Sequence, residues 1–211
     1  MAASRPPGTA DRILNVAEKL VQLRGYNAFS YQDVSRAVGI QKASLHYHFA
    51  TKADLGAALV TRYRQSFLDA LAGIENDESR AVDRLERYAE LYASVLRKKR
   101  MCMCGMLATD AATLPKPLRE SVAAFFEENA GWLARVLEDG RKRRELAFEG
   151  TAASMAAFFV SSLEGAMLLA HGSGKYGNFD AAARQLLATV RPRAAARSVV
   201  PHAPAGRKRR P

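Results

Sequence analysis

Residues 30 to 55 read Ser-Tyr-Gln-Asp-Val-Ser-Arg-Ala-Val-Gly-Ile-Gln-Lys-Ala-Ser-Leu-His-Tyr-His-Phe-Ala-Thr-Lys-Ala-Asp-Leu, and this stretch decides the N-terminal fold. Gly39 can take the positive φ that turns one helix into the next. Each flanking segment carries two apolar residues one helical turn apart, so that both can share a small core. These pairs are Val34 with Val38 and Leu45 with Phe49. The spacing predicts a helix-turn-helix.

The outward face of the second predicted helix carries side chains that can donate hydrogen bonds to phosphates or to base edges. They are Lys42, Ser44, Tyr47 and His48. Tyr31 and Gln32 begin the first helix of the pair; they are candidates for phosphate or base contact, and equally for ordinary polar surface. Thr51 and Asp54 form a capping pair for a further helix, and Lys52 at its N-terminus is placed to meet backbone phosphate.

The stretch resembles the DNA-binding domain of TetR-type (tetracycline repressor-like) regulators. The matching positions are Gly25, Ser30, Val34, Gly39, Ile40, Ser44, Leu45, His48, Phe49, Lys52 and Leu55. The departures are Gln41 where a capping Ser is common, Ala43 where Gly is common, and His46 where Tyr is usual. The resemblance adds Ala43 and His46 to the expected DNA-contacting positions. It implies a DNA-binding domain over residues 1–51 and a ligand-binding and dimerisation domain over 52–190.

Composition is consistent with an anionic partner. The chain has 211 residues, with 32 Lys and Arg against 21 Asp and Glu. Residues 191–211 hold seven of these cations and no acid, between prolines, which predicts a disordered basic tail. That tail either strengthens nonspecific DNA binding or is inert. The basic runs 97–100 and 141–144 each end a predicted helix, where solvated cations are expected.

Helical periodicity covers almost the whole chain, which predicts an all-α fold of about nine helices. A long helix through 52–74 leads out of the DNA-binding unit. Residues 151–170 are apolar nearly all round and need cover on several sides. The chain shows neither a signal peptide nor an uncharged run of membrane-spanning length, so we expect a cytoplasmic protein without membrane contact. His46 and His48 are two residues apart and cannot easily share a metal, and neither a metal nor another cofactor is expected.

The segment Cys102-Met-Cys104-Gly-Met106 allows two interpretations. Thiols near the cations of 97–100 could have lowered pKa values and sense an oxidant or an electrophile. Alternatively, Cys and Met are soft apolar residues that fill a core or line a cavity, which is the interpretation we favour. The spacing offers neither a structural zinc site nor a local disulfide.

The resemblance implies a homodimeric regulator, a repressor that binds a pseudo-palindromic operator. An unknown small-molecule effector would bind among the helices around 81–96, 102–114, 118–137 and 155–169, and would shift the 52–74 helix. Candidate pocket residues are Tyr92, Cys102, Met106, Phe125, Phe126, Trp132, Phe158 and Met167. The alternative is a helical enzyme with an incidental basic surface. Its common signatures, such as a glycine-rich phosphate loop, His-Glu-x-x-His or Gly-x-Ser-x-Gly, do not occur, so we expect no enzymatic activity.

Overall fold

The computed structural model describes residues 8–192, and within that range it contains nine α-helices and no strand. The helices are α1 (Thr9–Arg24), α2 (Tyr31–Val38), α3 (Lys42–His48), α4 (Lys52–Asp77), α5 (Ala81–Arg97), α6 (Met103–Thr109), α7 (Lys116–Lys142), α8 (Ala152–Ser173) and α9 (Gly177–Ala188). The expected all-α fold is confirmed.

The turn between α2 and α3 has the backbone geometry that the sequence predicts. Gly39 lies in the left-handed region with φ 76°, and its N–H donates to the Ser35 carbonyl at 2.9 Å. Ser30 caps α2 through a reciprocal bond with Asp33, whose carboxylate accepts from the Ser30 N–H at 2.8 Å. These local bonds hold both ends of α2, at Ser30 and at Gly39, and so fix where the turn into α3 begins.

Helix α4 connects the helix-turn-helix to the rest of the molecule. Thr51 and Asp54 form the predicted capping box, with the Thr51 N–H donating to Asp54 Oδ2 at 2.9 Å. The helix then runs without a break to Asp77, packing against α1, α5 and α7. A movement of α4 therefore reaches both ends of the molecule.

Helices α7, α8 and α9 form the largest packed layer. The inner face of α8 is buried along Ala156, Phe159, Leu163 and Met167. Its outer face is not covered: Phe158 and Leu168 are each 50% exposed and Leu169 is 73% exposed. Among the described helices, α8 is the one long and apolar enough to cross a membrane, a property that core helices of soluble proteins share.

The predicted tail falls mostly outside the described residues, which end at 192. At position 191, the first residue of the predicted tail, the chain still contacts the helical body. Arg191 pairs with Glu86 of α5 at 2.5 Å, and the buried Val190 accepts a hydrogen bond from the Ala147 N–H at 2.9 Å.

Candidate DNA interface and buried polar site

The outer face of α3 is open to solvent. Tyr47 is 87% exposed and projects furthest, Lys42 and Ala43 are exposed, and Ser44 and His48 are half-buried. The Tyr47 and His48 rings meet edge to face with their centroids 5.4 Å apart. Leu45 alone of this helix is fully buried, so α3 is held by one side and presents the other.

Tyr31 does not belong to this face, which corrects the expectation that it contacts DNA. Its side chain is buried and its hydroxyl donates to the Phe49 carbonyl at 2.9 Å. Burial raises the pKa of Tyr31 to about 12. The His46 ring packs 4.8 Å from the Tyr31 ring, and His46 Nδ1 lies 3.0 Å from the Ala50 carbonyl oxygen. Tyr31 and His46 thus brace α3, while Gln32 beside them is exposed.

Lys52 is also placed differently from the expected phosphate contact. Its ammonium donates to the Phe29 carbonyl at 2.6 Å and lies over the rings of Tyr26 and Phe29, 4.6 and 4.4 Å from their centroids. Burial lowers the pKa of this ammonium, although Asp110 and Asp33 oppose that shift. The half-buried cation therefore joins the start of α4 to the loop before α2.

A second candidate site lies inside the helical body, where six rings form an aromatic cluster. Its members are Tyr63 and Phe67 of α4, Tyr88 and Tyr92 of α5, and Phe125 and Trp132 of α7. Tyr88 stacks on Trp132 with centroids 5.6 Å apart, and Phe67 meets Phe125 edge to face at 5.2 Å. The Tyr88 and Tyr92 hydroxyl oxygens are 3.1 Å apart and share one hydrogen bond.

The predicted pocket residues separate into those at this cluster and those outside it. Tyr92, Phe125 and Trp132 belong to it; Cys102 adjoins it through a hydrogen bond from the Tyr63 hydroxyl to Sγ at 3.6 Å. Met167 is next to Cys102, whose N–H donates to Met167 Sδ at 3.1 Å.

The other three predicted pocket residues lie elsewhere. Phe158 is on the exposed side of α8, and its neighbour Phe159 is buried in its place. Because α8 is apolar on nearly all sides, its sequence did not reveal which side faces the core. Phe126 is half-buried at the edge of Phe125, with centroids 5.2 Å apart. Met106 points toward the DNA-binding unit: its Cε lies 3.7 Å from where a Cβ on Gly25 would stand.

Glu164 is the residue that the sequence reasoning missed. It lies on α8 beside Cys102, and burial raises the pKa of its carboxyl to about 7, although a hydrogen bond with Cys102 opposes that shift. The α6 backbone approaches it so closely that a Cβ on Gly105 would stand 2.5 Å from Glu164 Oε2. A signal for it was present, because Glu164 is the single charged residue between Ala152 and Ala170.

The two thiols lie in surroundings that oppose reactivity. Cys102 is 2% exposed and Cys104 is fully buried. Burial raises the pKa of both thiols well above the usual value, and the Glu164 carboxylate raises them further. The sensor interpretation relied on the cations of 97–100, but Arg97 pairs with Glu90, and none of the four is among the groups that shift the pKa of either thiol. The structure therefore favours the neutral thiols of a core or a cavity wall.

Comparisons with known proteins match both the N-terminal DNA-binding unit and the helical body that follows it. Residues 13–59 match the family model described as bacterial regulatory proteins, tetR family, and residues 81–186 match the tetracyclin repressor-like C-terminal domain. The chain belongs to the TetR family.

Among TetR-family structures, a transcriptional regulator from Agrobacterium tumefaciens is 35% identical, with 87% of this chain and 98% of that chain aligned and a TM-score of 0.85. A regulator from Legionella pneumophila is 31% identical over 90% of this chain and 100% of that one, with a TM-score of 0.78. The transcriptional regulator AcuR from Cereibacter sphaeroides is 25% identical over 151 residues, which span 70% of this chain and 69% of that protein. All three carry the name of transcriptional regulators.

In this TetR-family protein the short helix α6 joins the buried site to the DNA-binding unit. Its N-cap is Cys102, beside Glu164, and the preceding Met101 N–H donates to the Gln22 carbonyl of α1 at 3.1 Å. Its C-cap is Asp110, whose Oδ2 accepts from the Tyr26 N–H at 2.8 Å. Both ends of α6 therefore touch α1 or the loop after it.

Proposed function

We propose that this protein is a homodimeric transcriptional repressor that binds a pseudo-palindromic operator and is released from it by a small-molecule effector. The observation that carries the proposal is the exposed face of α3, with Tyr47 at 87% exposure, inside a segment that matches the family's DNA-binding domain. Lys42, Ser44, Tyr47 and His48 approach the major groove, with Ala43 allowing close contact and Gln32 at its edge.

The second copy of the chain would pack on the outer face of α8. Phe158, Leu168 and Leu169 recur there at helical spacing with Gly165 between them, so one apolar stripe is left uncovered. The exposed residues of α9 include Ala181, Ala182 and Ala188, which permit close approach. Covering this stripe with its symmetry copy removes apolar surface from water and sets the separation of the two α3 helices.

Release would follow from the position of α6. An effector that binds beside Cys102 and Glu164 displaces α6, and α6 holds Tyr26 through Asp110. The Tyr63 hydroxyl ties the same place to α4. A ligand that prefers a displaced α6 thus changes the position of α3 in each protomer and lowers the population that fits DNA. We infer repression from the match to the tetracyclin repressor-like C-terminal domain. Because the proposed partner is an operator on DNA, we expect the protein to act in the cytoplasm.

The test is binding to the DNA that flanks the protein's own gene. We expect a gel shift with one flanking fragment at protein concentrations that leave an unrelated fragment of equal length free. Footprinting should then show two protected half-sites about one DNA turn or more apart. Equal affinity for flanking and unrelated DNA would contradict the proposal, as would protection of a single half-site by one protomer.

A further inference from the structure

Helix α3 begins without a side-chain cap, unlike the helices on either side of it. The hydroxyls of Ser30 and Thr51 cap α2 and α4, because they accept from the N–H groups of Asp33 and Asp54 at 3.3 and 3.1 Å. Gln41 stands at the corresponding position before α3, also with an extended backbone, yet its side chain makes no such bond. Ser, Thr, Asp and Asn are the residues that cap helices well, and glutamine is not among them. The side chain of Gln41 therefore does not stabilise α3 in the usual way.

The side chain of Gln41 is exposed, while its backbone is held in place. Its carbonyl accepts from the Ser44 N–H at 3.0 Å and from the Leu45 N–H at 3.3 Å. The Ile40 N–H donates to the Ser35 carbonyl at 3.0 Å, which closes the turn just before it. Leu45 is fully buried and anchors the helix. The amide of Gln41 is thus attached to a fixed backbone, which lowers the entropy lost when the side chain binds a partner.

In the proposed DNA complex, Gln41 lies at the end of α3 that enters the major groove. The N-terminal residues of the second helix of a helix-turn-helix contact base edges. Side chains of a helix lean toward its N-terminus, so a long side chain at the first position extends past that end. Gln41 has both the length and the position to reach a base.

The chemistry of the amide selects the base. Its oxygen accepts and its NH2 group donates in one plane, which matches the N6–H donor and the N7 acceptor that adenine presents in the major groove. Guanine presents two acceptors on the same edge, so the amide oxygen would lack a donor there. Among residues 41–48, Gln41 alone has a side-chain amide. Adenine is therefore the base that this residue fits best.

We propose that Gln41 is a specificity-determining residue whose amide reads the edge of an adenine in each half-site of the operator. This contact deepens the proposed function and rests on it. The missing cap of α3 is its consequence, because a serine at this position would stabilise the helix but would not extend beyond its end.

Selection of binding sites from a randomised DNA library tests the contact. The parent, Gln41→Ala, Gln41→Ser and Gln65→Ala each select sites, and competition assays then compare the four bases at every position of the parent's site. We expect the parent to prefer one adenine in each half-site over the other bases by at least about fivefold. Gln41→Ala and Gln41→Ser should lose the preference at that position and keep it at the others. Gln65→Ala removes an exposed amide from α4 and should select as the parent does.

The serine variant separates base reading from folding. Its hydroxyl can accept from the Ser44 N–H and cap α3, so Gln41→Ser should melt at a higher temperature than Gln41→Ala. A loss of base preference in the serine variant therefore does not come from a damaged helix. Because glutamine is uncharged, the slope of log affinity against log salt should be the same for the parent and both variants.

The two proposals fail separately. A parent that enriches no sequence overturns the proposed function, and this contact with it. A parent that selects a site retains the function, and the contact is overturned if Gln41→Ala and Gln41→Ser prefer the same bases at every position. An affinity that falls equally for all sequences would also overturn it, because Gln41 would then contact the DNA backbone and not a base. Loss of a preference for another base would overturn the assignment to adenine.

Discussion

Asp110 accepts a hydrogen bond from the Tyr26 backbone N–H at 2.8 Å, across 84 positions of sequence. The same carboxylate accepts from the Asn27 N–H at 3.4 Å and from Asn27 Nδ2 at 3.1 Å. One side chain at the end of α6 thus holds the loop between α1 and α2. The relationship matters because α6 starts at the buried site and ends at the DNA-binding unit.

Asp110→Ala should destabilise the protein by about 1–3 kcal/mol, because it leaves the N–H of buried Tyr26 without a partner. Chemical denaturation measures this. Asp139→Ala, an exposed aspartate on α7, is the matched control and should change stability little. An Asp110→Ala protein as stable as that control would show that the contact does not hold the loop in solution.

Glu164 predicts an unusual dependence of stability on pH. Its folded-state pKa of about 7 exceeds the ordinary 4.5, so the native protein keeps a proton that the unfolded chain has released. The contribution of the Glu164 carboxyl to the free energy of unfolding is fully present below about pH 4.5. It is lost as the pH rises to 7, by roughly 3 kcal/mol in all. Glu164→Gln should therefore match the parent near pH 4.5 and exceed it in unfolding free energy at pH 8.

The measurement is urea denaturation of both proteins across this pH range, with Glu127→Gln as the control. The gap between Glu164→Gln and the parent should widen as pH increases, while the gap for the control stays constant. A constant gap for both variants would mean that the Glu164 carboxyl titrates normally.

Leu169→Glu should convert the protein to a monomer. The substitution puts a charge in the apolar stripe proposed to face the second copy, where it would lose its hydration without a counter-ion. Sedimentation velocity gives the mass of the species in solution. Ala123→Glu, which adds the same charge on the exposed side of α7, should leave a dimer. If Leu169→Glu sediments as the parent does, the interface lies elsewhere.

Much of this arrangement could be predicted from sequence because it depends on local chemistry. Gly39 and the two capping boxes fix helix boundaries through residues three or four apart, and the pattern reveals them. Tyr31 differs, because its burial depends on the carbonyl of Phe49, 18 positions later, which no local pattern specifies. The contacts of Lys52 could not be predicted for the same reason, since its partners Phe29 and Tyr26 precede it by more than 20 residues.

The thiols provide a direct test of the alternative in which the protein senses electrophiles. Because the thiolate is the nucleophile and burial keeps Cys102 and Cys104 protonated, both should react with iodoacetamide at least about tenfold more slowly in the folded protein than in urea. Mass spectrometry of timed samples counts the adducts. Rapid modification of folded protein, accompanied by release from operator DNA, would favour the sensor instead.

The exposed face of α3 is proposed to bind DNA, and the salt dependence of operator affinity tests this contact. Operator affinity of the parent, Lys42→Ala, Tyr47→Ala and Lys175→Ala is measured at several salt concentrations. Lys175 is an exposed lysine between α8 and α9 and serves as the control. We predict that Lys42→Ala and Tyr47→Ala bind the operator more weakly than the parent, whereas Lys175→Ala matches it. If Lys42 contacts a phosphate, Lys42→Ala also reduces the slope of log affinity against log salt by about one. Parent-like affinity of both α3 variants at every salt concentration would contradict the claim.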